Sequence, residues 1–203
     1  MSTSRDRVRQ ALSHQGSDRI PVDFGATAVT GIHCRVVEAL RKYYGLAYKP
    51  VKIVDTFQML GEVDRDLADA MGVDCIGVGG TRDIFDHDTE CMHEQVTPWG
   101  QKVLVPIQLD LTQDKEGDVY VYAGGDKNYP PSAVMPNGCF FINAIERQQP
   151  IDEDKLNPMD NLEEFNSITD EELDAYKKKV NEASATGRAV VASFGGTALG
   201  DVA

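Results

Sequence analysis

Residues 20–45, IPVDFGATAVTGIHCRVVEALRKYYG, decide how this sequence is read. They open with a short apolar run, 20–24, whose Pro21 suits a strand start or edge. Four small residues follow, Gly25, Ala26, Thr27 and Ala28. Val36, Val37, Leu40 and Tyr44 then recur at helical spacing until Gly45 stops them. Strand, glycine-led loop and helix make the first half of a βα unit. Sheets and barrels of such units bind ligands beyond the carboxyl ends of their strands. Residues 25–34 are therefore the first candidate for a site.

Working outward, the strand–glycine pattern recurs twice. VDCIGV (73–78) hands over to Gly79–Gly80, and RAVVASF (188–194) to Gly195–Gly196. The three runs are expected to be parallel strands of one sheet, with their glycine loops at one end and helices between them. A helix is expected over 3–14, with Thr3 and Asp6 in capping-box spacing. Another is expected along Leu60, Val63, Leu67 and Met71, ended by Gly72. A third is expected over 170–185, with Leu173, Tyr176 and Val180 inside. Residues 49–54 form a weak extended pattern. Alternation over 102–111 and 118–123 predicts an antiparallel hairpin, with Trp99 packed at its base. Residues 126–138 read as a loop, and 151–164 as an acidic, irregular stretch.

The expected fold class is α/β: the N-terminal portion of a (β/α)₈ barrel with a β-hairpin insertion. A full barrel needs roughly 250 residues, and this chain has 203. Its expected parts are an N-terminal helix and turn (1–19), the first βα units (20–101), the hairpin insertion (102–123), and a loop, helix and third barrel strand (124–203).

Net charge is −13, from 20 basic and 33 acidic residues, with no basic run. Nucleic acid and anionic membranes are poor partners for such a chain. There is no apolar stretch of membrane-spanning length and no apolar signal core. The four cysteines form no CxxC pair. Reduced thiols and a cytoplasmic location are expected.

Three segments carry a resemblance: RDRVRQALSHQGSDRIPVDFGATAVTGIH, FQMLGEVDRDLADAMGVDCIGV and RAVVASFGGTALGD. Together they resemble the first part of the uroporphyrinogen decarboxylase superfamily. That superfamily of (β/α)₈ barrels includes the tetrapyrrole decarboxylase of porphyrin biosynthesis and the corrinoid-dependent methyltransferases. The decarboxylase carries two arginines after its first strand, whereas 25–31 here has none. It also carries an aspartate after its second strand, where this chain has Val78–Gly80 and the nearest acid is Asp83. The methyltransferase branch is therefore the closer likeness. The resemblance implies methyl transfer to or from a small thiol or methylated compound, with zinc as cofactor and a corrinoid on a carrier protein as partner. The family's zinc ligands would lie beyond Ala203. Tetrapyrrole decarboxylation is the alternative. A catalytically inert, truncated barrel, self-associating through open sheet edges, is the other.

The substrate-pocket candidates follow from this frame: Phe24, Thr27, His33, Gly79, Gly80, Arg82, Asp83, Phe194 and Gly196. For His33 the plainer reading is a helix cap, and for Arg82 with Asp83 a surface ion pair. The glycine pairs form no GxGxxG, so tight turning or a close backbone approach explains them. His87, Cys91 and His93, in DHDTECMH, have the side chains of a zinc site. They fit no finger spacing and sit among acids, so no metal is assigned to them. Cys75 reads as a small core residue.

Overall fold

The computed structural model describes residues 2–147, 152, 154, 157 and 168–193. Among these it is a mixed α/β protein with four α-helices: α1 (Ser4–Leu12), α2 (Cys34–Tyr43), α3 (Arg65–Met71) and α4 (Asp170–Ala185). None of the described helices is long and apolar enough to cross a membrane.

Three sheets organise the strands. The largest takes β1 (Ile32–His33), β2 (Val51–Asp55), β3 (Leu60–Gly61), β5 (Met92–Val96) and β6 (Lys102–Pro106) in the order β1-β3-β2-β6-β5. A three-stranded sheet joins β7 (Val119–Val121), β8 (Ala133–Met135) and β9 (Asn143–Ala144). The third sheet pairs β4 (Cys75–Val78) with β10 (Ala189–Ala192). One apolar core joins the first two sheets, with Val37, Ile53, Val103, Val105, Val119, Val121 and Met135 almost wholly buried.

Local signals set several boundaries. Thr3 and Asp6 form the expected capping box of α1, satisfying its first backbone N–H groups. Thr169 and Glu172 do the same for α4, which spans the expected residues. Its inner side differs in detail: Ala183 is buried and Tyr176 and Val180 half-buried, while Leu173 is 37% exposed. Gly72 ends α3 with φ of 67°, the left-handed conformation that glycine adopts without a Cβ penalty.

Four expectations need correction. Residues 20–24 form no strand: none of them joins a ladder, and Phe24 stands in a bend. Pro21 has no N–H to give, and Val22 directs both its backbone groups at Asp74: its N–H donates to the Asp74 carboxylate and its C=O accepts from the Asp74 N–H. The helix expected from Leu60 begins only at Arg65, capped by Asp64, because Leu60 and Gly61 pair with both β1 and β2. Gly61 is required there, since a Cβ would meet the Val51 side chain and the Cys34 backbone. The hairpin expected over 102–123 does not form. β6 instead pairs antiparallel with β5 and parallel with β2, whereas β7 pairs with β8. Trp99 thus stands in the β5–β6 turn itself. Finally, the loop expected over 126–138 contains β8.

The parallel expectation holds for two of the three runs. β4 and β10 lie side by side in register, Cys75 against Ala189 through Val78 against Ala192. α4 packs on both strands. Residues 22–26 run beside β4 in the same direction, with Val22 at Asp74 and Ala26 against Gly77.

Candidate functional site

The carboxyl ends of β4 and of residues 20–24 lead into the loops where a site was expected. Their spacing depends on Gly77: a Cβ at this position would strike the Ala26 carbonyl, so only glycine lets the loop approach so closely. Beyond Val78, Gly79 and Gly80 are exposed, with open space where side chains would stand. Phe24 is 42% exposed and Val29 95% exposed. Thr27 closes a short turn in which its carbonyl accepts from the Thr30 N–H. This gives a glycine-lined, partly apolar rim, with the Asp23 carboxylate accepting from the Ala26 N–H and Lys179 donating to the Gly80 carbonyl.

Arg82 and Asp83 do not form the expected ion pair. Arg82 binds the carboxylate and carbonyl of Asp86, at 2.9 Å each, on the surface. Asp83 turns inward. Its Oδ1 accepts from the N–H groups of Phe85 and His87, and its Oδ2 from the Thr56 hydroxyl at 2.6 Å. The same Oδ2 lies 3.1 Å from His87 Nδ1. His87 is fully buried, and its Nε2 lies 2.9 Å from the Tyr122 carbonyl. A carboxylate and a carbonyl can only accept, so both ring nitrogens donate and the imidazole is charged. Burial pushes the His87 pKa down, but Asp83 and the Tyr122 carbonyl outweigh it and leave the group above its usual value. Burial likewise raises Asp83, and the hydrogen bonds from His87, Thr56 and the backbone bring it below the ordinary carboxylate value.

This pair has no proton to exchange with a ligand, because every polar atom of both side chains has a partner. Its effect is to tie the loop after β4 to the ends of β2 and β7.

The residues of DHDTECMH are drawn apart in the same way. His87 has no free nitrogen, Cys91 is exposed beside Asp88, and His93 on β5 has its Nε2 3.2 Å from the Leu109 carbonyl. No group of three or more His, Cys, Asp or Glu among the described residues could hold a metal ion. Among the described residues, His87, Cys91 and His93 therefore do not come together as a zinc centre.

His33 is the cap of α2. Its Nδ1 accepts from the Arg35 N–H at 3.2 Å, and its Nε2 lies 3.1 Å from the Phe140 carbonyl, which fixes the proton on Nε2. Its ring packs against Trp99, Phe140 and Phe141, so it belongs to an aromatic cluster and not to the loops after β4. Phe194 and Gly196 lie outside the described residues. Cys75 is half-buried rather than core.

The sequence reading missed Asp74. It is fully buried and receives Arg19 through both guanidinium nitrogens, at 2.6 and 2.9 Å, and Arg7 at 3.2 Å. The signal was present as an acid inside the apolar run VDCIGV. Asp74 immediately precedes β4, and its ion cluster ties α1 and residues 19–22 to the start of that strand. No protein-family model, curated protein or solved structure matches this chain.

Proposed function

We propose that this chain forms part of a uroporphyrinogen decarboxylase-like (β/α)₈ barrel of the methyltransferase kind. Its substrate would bind at the loops following residues 20–24 and β4. One observation carries the reading: 22–26, β4 and β10 run in the same direction side by side, with α4 packed on the two paired strands. That is βα-unit geometry, and ligands of such units meet the loops at the carboxyl ends.

The chemistry of these loops favours methyl transfer over tetrapyrrole decarboxylation. A substrate with several carboxylates needs cationic clamps. Residues 25–31 supply none, and Arg82 is held by Asp86. Asp83 is closed off by His87 and Thr56, so it is not placed to face pyrrole nitrogens. An exposed, glycine-lined rim with Phe24 and Val29 suits a flat, largely uncharged surface such as a corrinoid delivered by a carrier protein.

Methylcobalamin titrated into isotopically labelled protein tests the reading. Amide chemical shifts should move at Thr27, Gly79, Gly80 and Arg82. Shifts confined to other loops, or none at saturation, would overturn it.

A further inference from the structure

A concavity of about 750 Å³ lies where α2, the α2–β2 loop and the β5–β6 turn meet. Lys49 and Gln101, each just before a strand, place it at the amino ends of the parallel pair β2 and β6. One face of α2 lines it: Arg35, Glu38, Ala39 and Lys42, at the spacing that stacks side chains on one side of a helix. Trp99 and Tyr48 supply aromatic wall. We infer that this cleft binds a small aromatic carboxylate.

The charges in the cleft divide into two sets. Arg41 and Lys49 are committed: the Arg41 guanidinium holds Asp64, Asp66 and the Ala47 carbonyl at 2.7–3.0 Å, and Lys49 lies 2.6 Å from Asp64. Arg35 and Lys42 have no ion pair among the described residues, and neither does Glu38 between them. Two cations and one anion leave this face with one net positive charge, in a chain whose overall charge is −13. That balance matches a monoanion and disfavours a polyanion.

The flat body follows from Trp99. Its indole N–H already donates to Gln101 Oε1 at 3.0 Å, and Gln101 is anchored in turn by donating to the Cys34 carbonyl. The indole therefore offers a ligand its ring and no donor. Arg35 stands over the Phe140 ring, 4.4 Å from its centroid, which holds the guanidinium in place while leaving its N–H edge open. A cation edge beside an aromatic surface suits a carboxylate on a ring.

Trp99 is the sole tryptophan of the sequence, so its emission reports on this cleft alone. Calorimetry with 2-naphthoate, run beside Trp99 fluorescence, is the test. Saturable one-site binding with a Trp99 response is expected, absent for neutral 2-naphthalenemethanol and much weaker for inorganic phosphate. R35Q and K42Q should each weaken binding roughly tenfold, about 1.4 kcal/mol. E38Q should tighten it by removing the opposing charge. Circular dichroism should show all three variants folded, since among the described residues the three side chains form no ion pair or hydrogen bond to lose. No saturable binding, equal binding of the neutral alcohol or of inorganic phosphate, or unchanged affinity in both R35Q and K42Q would overturn the inference. None of these residues enters the reading proposed for the loops after β4, so each can fail without the other.

Discussion

Asp83 and His87, four residues apart in one loop, form a buried ion pair with Oδ2 and Nδ1 3.1 Å apart. Each partner is held in its charged form by groups that can only complement that charge: Thr56 and two backbone N–H groups for Asp83, the Tyr122 carbonyl for His87. The loop after β4 is thereby fixed in one shape, and the pH dependence of stability follows.

His87 has a folded pKa above its unfolded value of 6.5. Its contribution is fully present below pH 6.5 and is lost as pH rises through the folded value. Asp83 has a folded pKa below 3.8. Its contribution is present above pH 3.8 and is lost as pH falls through the folded value. The pair therefore stabilises most between these two unfolded values. Denaturant midpoints measured across pH should decline on the alkaline side. H87Q should remove that decline and cost about 3 kcal/mol at pH 5, because it leaves a buried carboxylate without its counter-charge. An unchanged alkaline limb in H87Q would show that other groups govern it.

Asp74 predicts a second, larger-scale effect. It joins α1, through Arg7, and residues 19–22 to the start of β4. D74N keeps the shape and removes the charge, leaving two guanidinium groups without their common partner. A loss of about 3 kcal/mol is expected by chemical denaturation. Faster hydrogen exchange should appear at the Asp74 amide, whose acceptor is Val22. A variant as stable as the parent would remove Asp74 from the list of groups holding the N-terminus.

These two carboxylates also show what the sequence could disclose. Caps and stops are local, so Thr3 with Asp6, and Gly72, were legible from spacing alone. The apolar runs of β4 and β10 were legible because a parallel pair leaves continuous hydrophobic stretches. Strand partners were not. Alternation in β6 and β7 says which face is buried, never which neighbour is bonded, so each was assigned to the other when β5 and β8 were the partners. Residues 20–24 failed as a strand for a similar reason, since the acceptor of the Val22 N–H is a side chain 52 residues away. At the candidate site the glycines were legible but their setting was not: tight turning or a close backbone approach was expected, and Gly79 and Gly80 instead face open space. Asp83 was found, but its inward turn to His87 depends on Thr56 and Tyr122, from two other parts of the chain.

The close approach of Ala26 to Gly77 gives a third prediction. G77A places a methyl group against a backbone carbonyl, which cannot rotate away as a side chain can. Either the 24–30 loop or β4 must shift, at a cost of about 1–3 kcal/mol. Amide shifts should change at Ala26 and Thr27 while the core around Val103 and Val121 stays as it was. If G77A is neutral in stability and silent at Ala26, the loop does not lean on β4.

Cysteine reactivity supplies the last. Cys34, the first residue of α2, is wholly buried, its Sγ 3.4 Å from Gln101 Oε1, and burial pushes its thiol up to about 12. Cys91 and Cys139 are both exposed, but they differ in surroundings. The Asp88 carboxylate beside Cys91 raises its pKa, mainly by accepting the thiol hydrogen bond that ionisation would destroy. Only the thiolate reacts with an alkylating reagent, so rate follows ionised fraction as well as access. With iodoacetamide near neutral pH, followed by mass spectrometry of peptides, Cys139 should label first and Cys91 more slowly. Half-buried Cys75, its thiol also raised by burial, should follow, and Cys34 should label only after denaturant unfolds the chain. D88N should bring Cys91 up toward the rate of Cys139, because an amide carries no charge to oppose the thiolate. Labelling of Cys34 in the native protein at a rate near that of Cys139 would mean that α2 opens readily. In that case the aromatic cluster of His33, Trp99 and Phe140 would not be the fixed wall that the cleft beside it requires.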